Sequence, residues 1–337
     1  MLKALNPIKK DEQIFISYIN NTERRATRQS SLQEGYFFTC NCAKCSRNLS
    51  PYALWNSHHE NFPTSLDSLF HFEQDVLSPA AAAQNDAEKI AAASLTVQVY
   101  TNVDRLLNDE VNATADNNHR LQAITKALST LRVSWQTETF ANPPYPTILN
   151  RLYLYQLDNQ NFPAALSLLI FIHLNCNIYT YPQLHHPSNI AHLLAMAELC
   201  IELSLQDQDP APAPNQTQIQ APTPQHPPKT TPYPPLDVLT AAQLLLILLR
   251  RLVPLSHGPK SGPMDTVKRL MAMVEEGQRG EGRAGEALTR WGNGGARTAL
   301  VGGVLGQLRV FGGKGVVGEM VGLGRDGGAG EGGLRLV

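Results

Sequence analysis

The sequence lacks a dominant charge. Lys and Arg number 28 against 29 Asp and Glu, a net of −1, and charged residues make up 17% of the 337. No global field therefore argues for nucleic acid or a membrane surface as partner. Long apolar runs are also missing. The most apolar, LLLILL at 244–249, falls far short of the roughly 20 residues that cross a bilayer. The opening MLKALNPIKK has too short an apolar run for a signal peptide. Cysteine is scarce, and five of them give no disulfide framework, which suits a reducing compartment. The protein is expected inside the cell, in nucleus, cytoplasm or both, with no membrane partner. Glycine is nearly absent before residue 277, where Gly35, Gly258 and Gly262 are the only ones. The 21 that follow include G-x-G-x-x-G spacings, but none lies between a predicted strand and a helix, which argues against a nucleotide loop of that kind.

What is present concentrates in residues 8–45, IKKDEQIFISYINNTERRATRQSSLQEGYFFTCNCAKC. Ile14, Phe15 and Ile16 predict a strand over 12–18 that ends at Tyr18. Glu23 to Glu34 predicts a helix, with Thr22 as its N-cap and Gly35 as its stop. Tyr36, Phe37 and Phe38 lead into Cys40, Cys42 and Cys45, spaced C-x-C-x2-C, so three of the five cysteines fall within six residues. Thiolates so placed can converge on one tetrahedral zinc, each about 2.3 Å from the metal. The plainer reading is a set of surface thiols. Arg24, Arg25 and Arg28 read as one solvated basic face, and Glu12 as an ion-pair partner. Cys176 and Cys200 sit in apolar helical patterns, where a small buried hydrophobe is expected.

The order acidic-Glu-x-Ile-x-x-x-Tyr, helix, Tyr-x-Phe-x-Cys-x-Cys-x2-Cys resembles the end of a SET domain and its post-SET zinc loop. More narrowly, it is similar to the SET-and-MYND-domain protein lysine methyltransferases. Asp11-Glu12-Gln13-Ile14 through Tyr18 matches the family's G-E-E-L-x-x-x-Y motif, with Asp11 and Gln13 as departures. The resemblance implies Tyr18 as the catalytic tyrosine, Tyr36 and Phe38 as walls of the lysine channel, and Phe38 also against the cofactor. It implies Cys40, Cys42 and Cys45 as zinc ligands and S-adenosylmethionine as methyl donor, with a histone or non-histone protein as substrate. The family's G-x-G and N-H-x-C cofactor segments and its MYND finger are not matched in this sequence. The chain accordingly reads as the C-terminal part of such an enzyme, with impaired or no activity alone. In the family the fourth zinc ligand is the N-H-x-C cysteine; here His58 or His59 is the available substitute, or water.

The rest of the chain is read as organisation. Residues 1–46 are the SET end and zinc loop, and 47–79 a connector broken by Pro51, Pro63 and Pro79. Helical spacing then runs through 80–205, in segments such as 80–109, 117–139 and FPAALSLLIFIHLNCNIYT. Pairs of helices with short connections suggest a tetratricopeptide-like array, a surface for protein partners. In the family a His-Pro pair opens one of these helices, as His186-Pro187 would here. Ten of the 23 prolines lie between Pro210 and Pro235, so 206–235 reads as a linker. Residues 236–276 would be closing helices, and the glycine-rich 277–337 an unstructured tail. The expected fold is mainly α, a small β/zinc-loop remnant of a SET domain followed by the helical array. Against the methyltransferase stands a second expectation, a non-catalytic, zinc-stabilised helical module that binds proteins.

Overall fold

The computed structural model describes residues 8–11, 17–47, 51, 117–181, 183–206, 233–282, 294–321 and 323. Among the described residues the fold is mainly helical and holds no strand. Most of the expected strand (12–16), the alanine-rich 80–109 and most of the connector lie outside the described residues, as do His58, His59 and residues 207–232. Ser17 and Tyr18, at the strand's expected end, sit in irregular chain and a bend.

Among the described residues eleven helices follow in order: α1 Arg25–Tyr36, α2 Ala43–Ser46, α3 Asn117–Thr130, α4 Arg132–Gln136, α5 Tyr145–Asp158, α6 Phe162–Thr180, α7 Pro187–Gln206, α8 Val238–Ser256, α9 Gly262–Gly280, α10 Gly294–Phe311 and α11 Lys314–Met320. The centre is α6. Its residues from Ala164 to Ile172 are all buried, as a helix apolar on every side must be. Asn161 caps it, its side-chain oxygen accepting from the Ala164 N–H at 3.4 Å. Helices α5, α7, α10 and α11 pack around it, and α7, α8 and α9 continue the series by packing each on the next. Asp237 caps α8, accepting from the Thr240 N–H at 3.1 Å and its hydroxyl at 2.8 Å.

The helix α6 divides the interior into two cores. On one side α7, α8, α9 and α10 bury Leu166, Leu193, Leu246, Val267 and Leu308 with it. On the other, α3, α4, α5 and α11 enclose an aromatic core of Trp135, Phe140, Tyr145 and Phe171. There Phe140 meets Phe171 edge to face at 4.9 Å, and Trp135 stacks on Phe171 at 5.8 Å. Midway, α6 opens into one π-turn, His173–Asn177, which buries His173, Cys176 and Asn177. Cys176 and Cys200 are buried apolar thiols, as expected, and burial pushes the Cys200 thiol up to about 12.

His186-Pro187 opens α7 as expected. His186 Nδ1 accepts from the Ser188 N–H at 3.1 Å, and its ring stacks on Tyr181 with centroids 4.4 Å apart. Other expectations need correction. The glycine-rich segment read as unstructured carries α10 and α11. Val304, Leu308 and Phe311 follow one another at helical spacing and enter the core, and Ser167 Oγ donates to the Phe311 carbonyl at 2.8 Å. Each glycine costs about 1 kcal/mol of helix propensity, but burial of a continuous apolar stripe outweighs that. The run LLLILL belongs to a longer apolar helix. Three helices, α6, α7 and α8, are 19, 20 and 19 residues long and apolar enough to cross a membrane by length and composition. At least half of the most apolar window of each lies buried inside the protein.

Candidate metal and aromatic site

The helix α1 turns a narrow face inward, with Arg28 and Leu32 buried at i and i+4 while most of its other residues stay wholly or partly exposed. It starts two residues later than Thr22 as N-cap would require. Thr22 is bonded through its N–H and hydroxyl to Asn20 Oδ1, at 3.0 and 2.7 Å, and Arg24 holds the N-cap position, its side chain making no capping bond to the helix start. Nor does Gly35 stop the helix. Phe37 does, with a left-handed φ of 59° and its N–H donating to the Gln33 carbonyl at 3.2 Å.

That reversal carries the chain back past α1. The Gln29 carboxamide there donates to the Cys40 carbonyl at 2.7 Å and accepts from the Cys40 N–H at 2.9 Å. The single turn α2 follows, closed by the Ser46 N–H on the Cys42 carbonyl at 2.8 Å. The outcome is convergence: the sulfurs of Cys40, Cys42 and Cys45 lie within 4.8 Å of one another. Tetrahedral zinc places its sulfurs about 3.8 Å apart. A contraction of roughly 1 Å would seat the ion, so the donor set fits zinc.

Charge is arranged around these sulfurs. Cys45 is buried, Cys40 half-buried and Cys42 exposed. Burial is the largest influence on Cys42 and raises its pKa. Donors to its sulfur, first the Cys45 N–H and then the two neighbouring thiols, outweigh it and leave the pKa lowered. For Cys40 the Cys42 N–H is the largest influence and lowers the pKa. Burial and the neighbouring thiols outweigh that and leave it raised. Lys44 donates to the Asn21 carbonyl at 2.6 Å. Its pKa falls to about 8 through burial first and the nearby Arg28 charge second, against the pull of Cys45 and Cys42. Arg28 is itself a correction. It is no part of a solvated face, being 6% exposed, and it donates Nη1 to the Glu23 carbonyl and Nη2 to Cys45 Sγ at 3.5 Å. Arg25 remains exposed.

The aromatic candidates also gather. The rings of Tyr18 and Tyr36 lie 5.0 Å apart, and Phe38 meets Tyr18 edge-on at 6.0 Å. The Tyr36 hydroxyl donates to the Tyr18 carbonyl at 3.2 Å. Tyr18 is 52% exposed, Tyr36 48% and Phe38 39%, so the trio forms a half-open surface. All six predicted site residues thus fall into two clusters on one short stretch. Arg28, Gln29 and Lys44 were missed. Arg28 could have been found from its i, i+4 spacing to Leu32; nothing in the sequence marks Gln29.

A separate cavity of about 550 Å³ lies between the 20–23 loop and the helices, lined by Glu23, Arg120, Arg151, Asn177 and His192 among others. It contains neither the thiols nor the aromatic trio.

No protein-family model matches the chain. Two curated proteins share short segments with it. Histone-lysine N-methyltransferase ASHR1 of Arabidopsis thaliana is 42% identical over 57 residues, which are 17% of this chain and 12% of that protein. SET domain and MYND-type zinc finger protein 6 of Schizosaccharomyces pombe is 49% identical over 47 residues, 14% of this chain and 10% of that protein. These local similarities suggest a relationship to SET-type methyltransferases, and the three-cysteine cluster is compatible with a zinc site of the kind such proteins carry.

Proposed function

We propose that this chain supplies the catalytic-tyrosine, lysine-channel and post-SET zinc portion of an S-adenosylmethionine-dependent protein-lysine methyltransferase. The observation that carries the reading is the joint gathering of Tyr18, Tyr36 and Phe38 on the stretch whose three thiols converge. Residues 1–46 would be the SET end with its zinc loop. The packed helices after them would be a tetratricopeptide-like array with a proline-rich insertion at 206–235. The substrate would be a protein lysine, histone or otherwise, and the reducing state that free thiolates need would suit nucleus or cytoplasm.

The cofactor, when bound, supplies an electrophilic methyl group to the lysine nitrogen. This chain's part is to present that nitrogen neutral and aligned. Apolar aromatic walls disfavour the ammonium form by desolvation, and a fixed channel removes orientational freedom. With about half of each tyrosine open, the trio makes one wall and needs a facing surface to complete it. Of the positions the family sets against its cofactor, Phe38 alone is matched here.

A second reading has its own observation, the separate cavity. The Asn177 side chain that lines it is 4% exposed, and its amide nitrogen has no hydrogen-bond partner among the described residues. That surface suits a non-catalytic, zinc-stabilised module that docks protein partners through the helices. Calorimetric titration of the zinc-loaded chain with S-adenosylmethionine separates the two. Micromolar binding, with methyl transfer lost in Tyr18→Phe, supports the enzyme. Absence of binding by a folded, zinc-loaded chain rejects it and leaves the docking module.

A further inference from the structure

We propose that Arg28 is the positioning and charge-compensating partner of the metal site, holding the Cys45 thiolate through a charge-assisted N–H···S bond. The inference rests on the zinc reading above. Its ground is geometric. A guanidinium only 6% exposed meets a sulfur only 3% exposed at 3.5 Å, across 17 positions of sequence. A buried cation is costly unless a counter-charge meets it. Among the described residues, the polar atoms that receive its N–H groups are the Glu23 carbonyl and the Cys45 sulfur. The carbonyl carries no charge. The thiolate does, once a metal has displaced its proton.

The balance of charge fits. With a neutral fourth ligand, three thiolates on a divalent ion leave one net negative charge, which the Arg28 guanidinium against Cys45 offsets together with the nearby Lys44. The geometry fits as well. Glu23 lies just before α1 and Cys45 within α2, so the planar fork of Arg28 ties the start of one helix to the cysteine turn. Such a bond does two things to a metal thiolate. It fixes the sulfur's direction, and it draws electron density from the sulfur, weakening donation to the metal and lowering its nucleophilicity.

The test uses the full chain with Arg28→Met and Arg28→Lys. Zinc affinity is measured by competition with a chromophoric chelator, and the sulfur-to-cobalt charge-transfer band is recorded after loading with cobalt(II). Arg28→Met should weaken zinc by roughly 10- to 100-fold and move the band. Arg28→Lys, which keeps the charge but lacks a fork to span both partners, should recover part of both. A band that moves distinguishes this role from mere support of α1. If Arg28→Met loses its helical circular dichroism, Arg28→Lys carries the test. Wild-type affinity to within twofold and an unmoved band, in whichever variant is folded, overturn the inference while leaving the zinc reading intact. A wild-type chain that takes up neither metal overturns both.

Discussion

Gln29 and Cys40 form a closed two-bond ring, side-chain amide to main-chain amide, at 2.7 and 2.9 Å. Neither bond touches a sulfur, yet together they fix where the first cysteine of the cluster begins. Gln29→Ala should therefore weaken zinc without removing a ligand. Two neutral hydrogen bonds at about 1 kcal/mol or less each amount to roughly 5- to 30-fold in affinity. Chelator competition reads this directly, and an affinity equal to wild type would show that the cysteine loop holds its shape unaided.

Metal removal should act locally. The thiols lie in a segment whose stabilising bonds run to Arg28, Gln29 and Asn21, whereas α5 to α9 share their own core. Chelation of zinc, or Cys45→Ser, should speed amide hydrogen exchange across 25–46 and leave α6 and α8 protected. Exchange that rises equally in α6 would mean the two parts unfold as one.

Two glycines near the C-terminal end should respond in opposite directions to alanine. At Gly312 an added methyl would collide with the Ile170 side chain, so Gly312→Ala should cost about 1–3 kcal/mol. At Gly302, within α10, the same methyl meets nothing within 4 Å, and the gain in helix propensity should stabilise by roughly 0.5–1 kcal/mol. Chemical denaturation of both variants checks the pair. Equal, small effects would remove α10 and α11 from the cooperative core.

Acid should destabilise the helical part through two histidines. Burial holds His173 down at about 3, with the His192 charge a lesser cause, and burial holds His192 at about 4. Both are thus depressed from the ordinary histidine value of 6.5, so below that pH the unfolded chain binds more protons than the folded one. Their stabilising contribution is whole above about pH 6.5 and is lost progressively below it, completely by about pH 4 for His192 and about pH 3 for His173, at up to about 1.4 kcal/mol per pH unit for each. In denaturation curves at stepped pH, His173→Gln should flatten that slope. An unchanged slope would assign the acid loss to other groups.

Much of this arrangement was legible in the chain. The C-x-C-x2-C spacing predicted convergence because short loops leave few ways for three sulfurs to part. The helices α6 and α7 announced themselves through continuous apolar periodicity and the His186-Pro187 start. What escaped was decided by partners distant in sequence. Arg28 carries a charge that local reasoning sends to solvent, and only the arrival of Cys45 makes its burial tolerable. The helix end at Phe37 instead of Gly35 puts an L-residue into left-handed backbone, a choice propensity opposes and the return of the cysteine loop accompanies. Glycine content hid α10 because composition averages over residues, whereas packing selects Val304, Leu308 and Phe311 individually.

The π-turn in α6 works as a phase shifter. One extra residue in a single turn rotates everything after it by about 100° relative to a regular helix. Before the shift Leu168, Phe171 and Ile172 face the aromatic core; after it Ile178 and Tyr179 close on Ala141 in a small cluster of their own. A chain one residue shorter between His173 and Asn177 would keep its helix but swing Ile178 and Tyr179 away from Ala141. In this stretch the number of residues therefore sets which side chains reach Ala141.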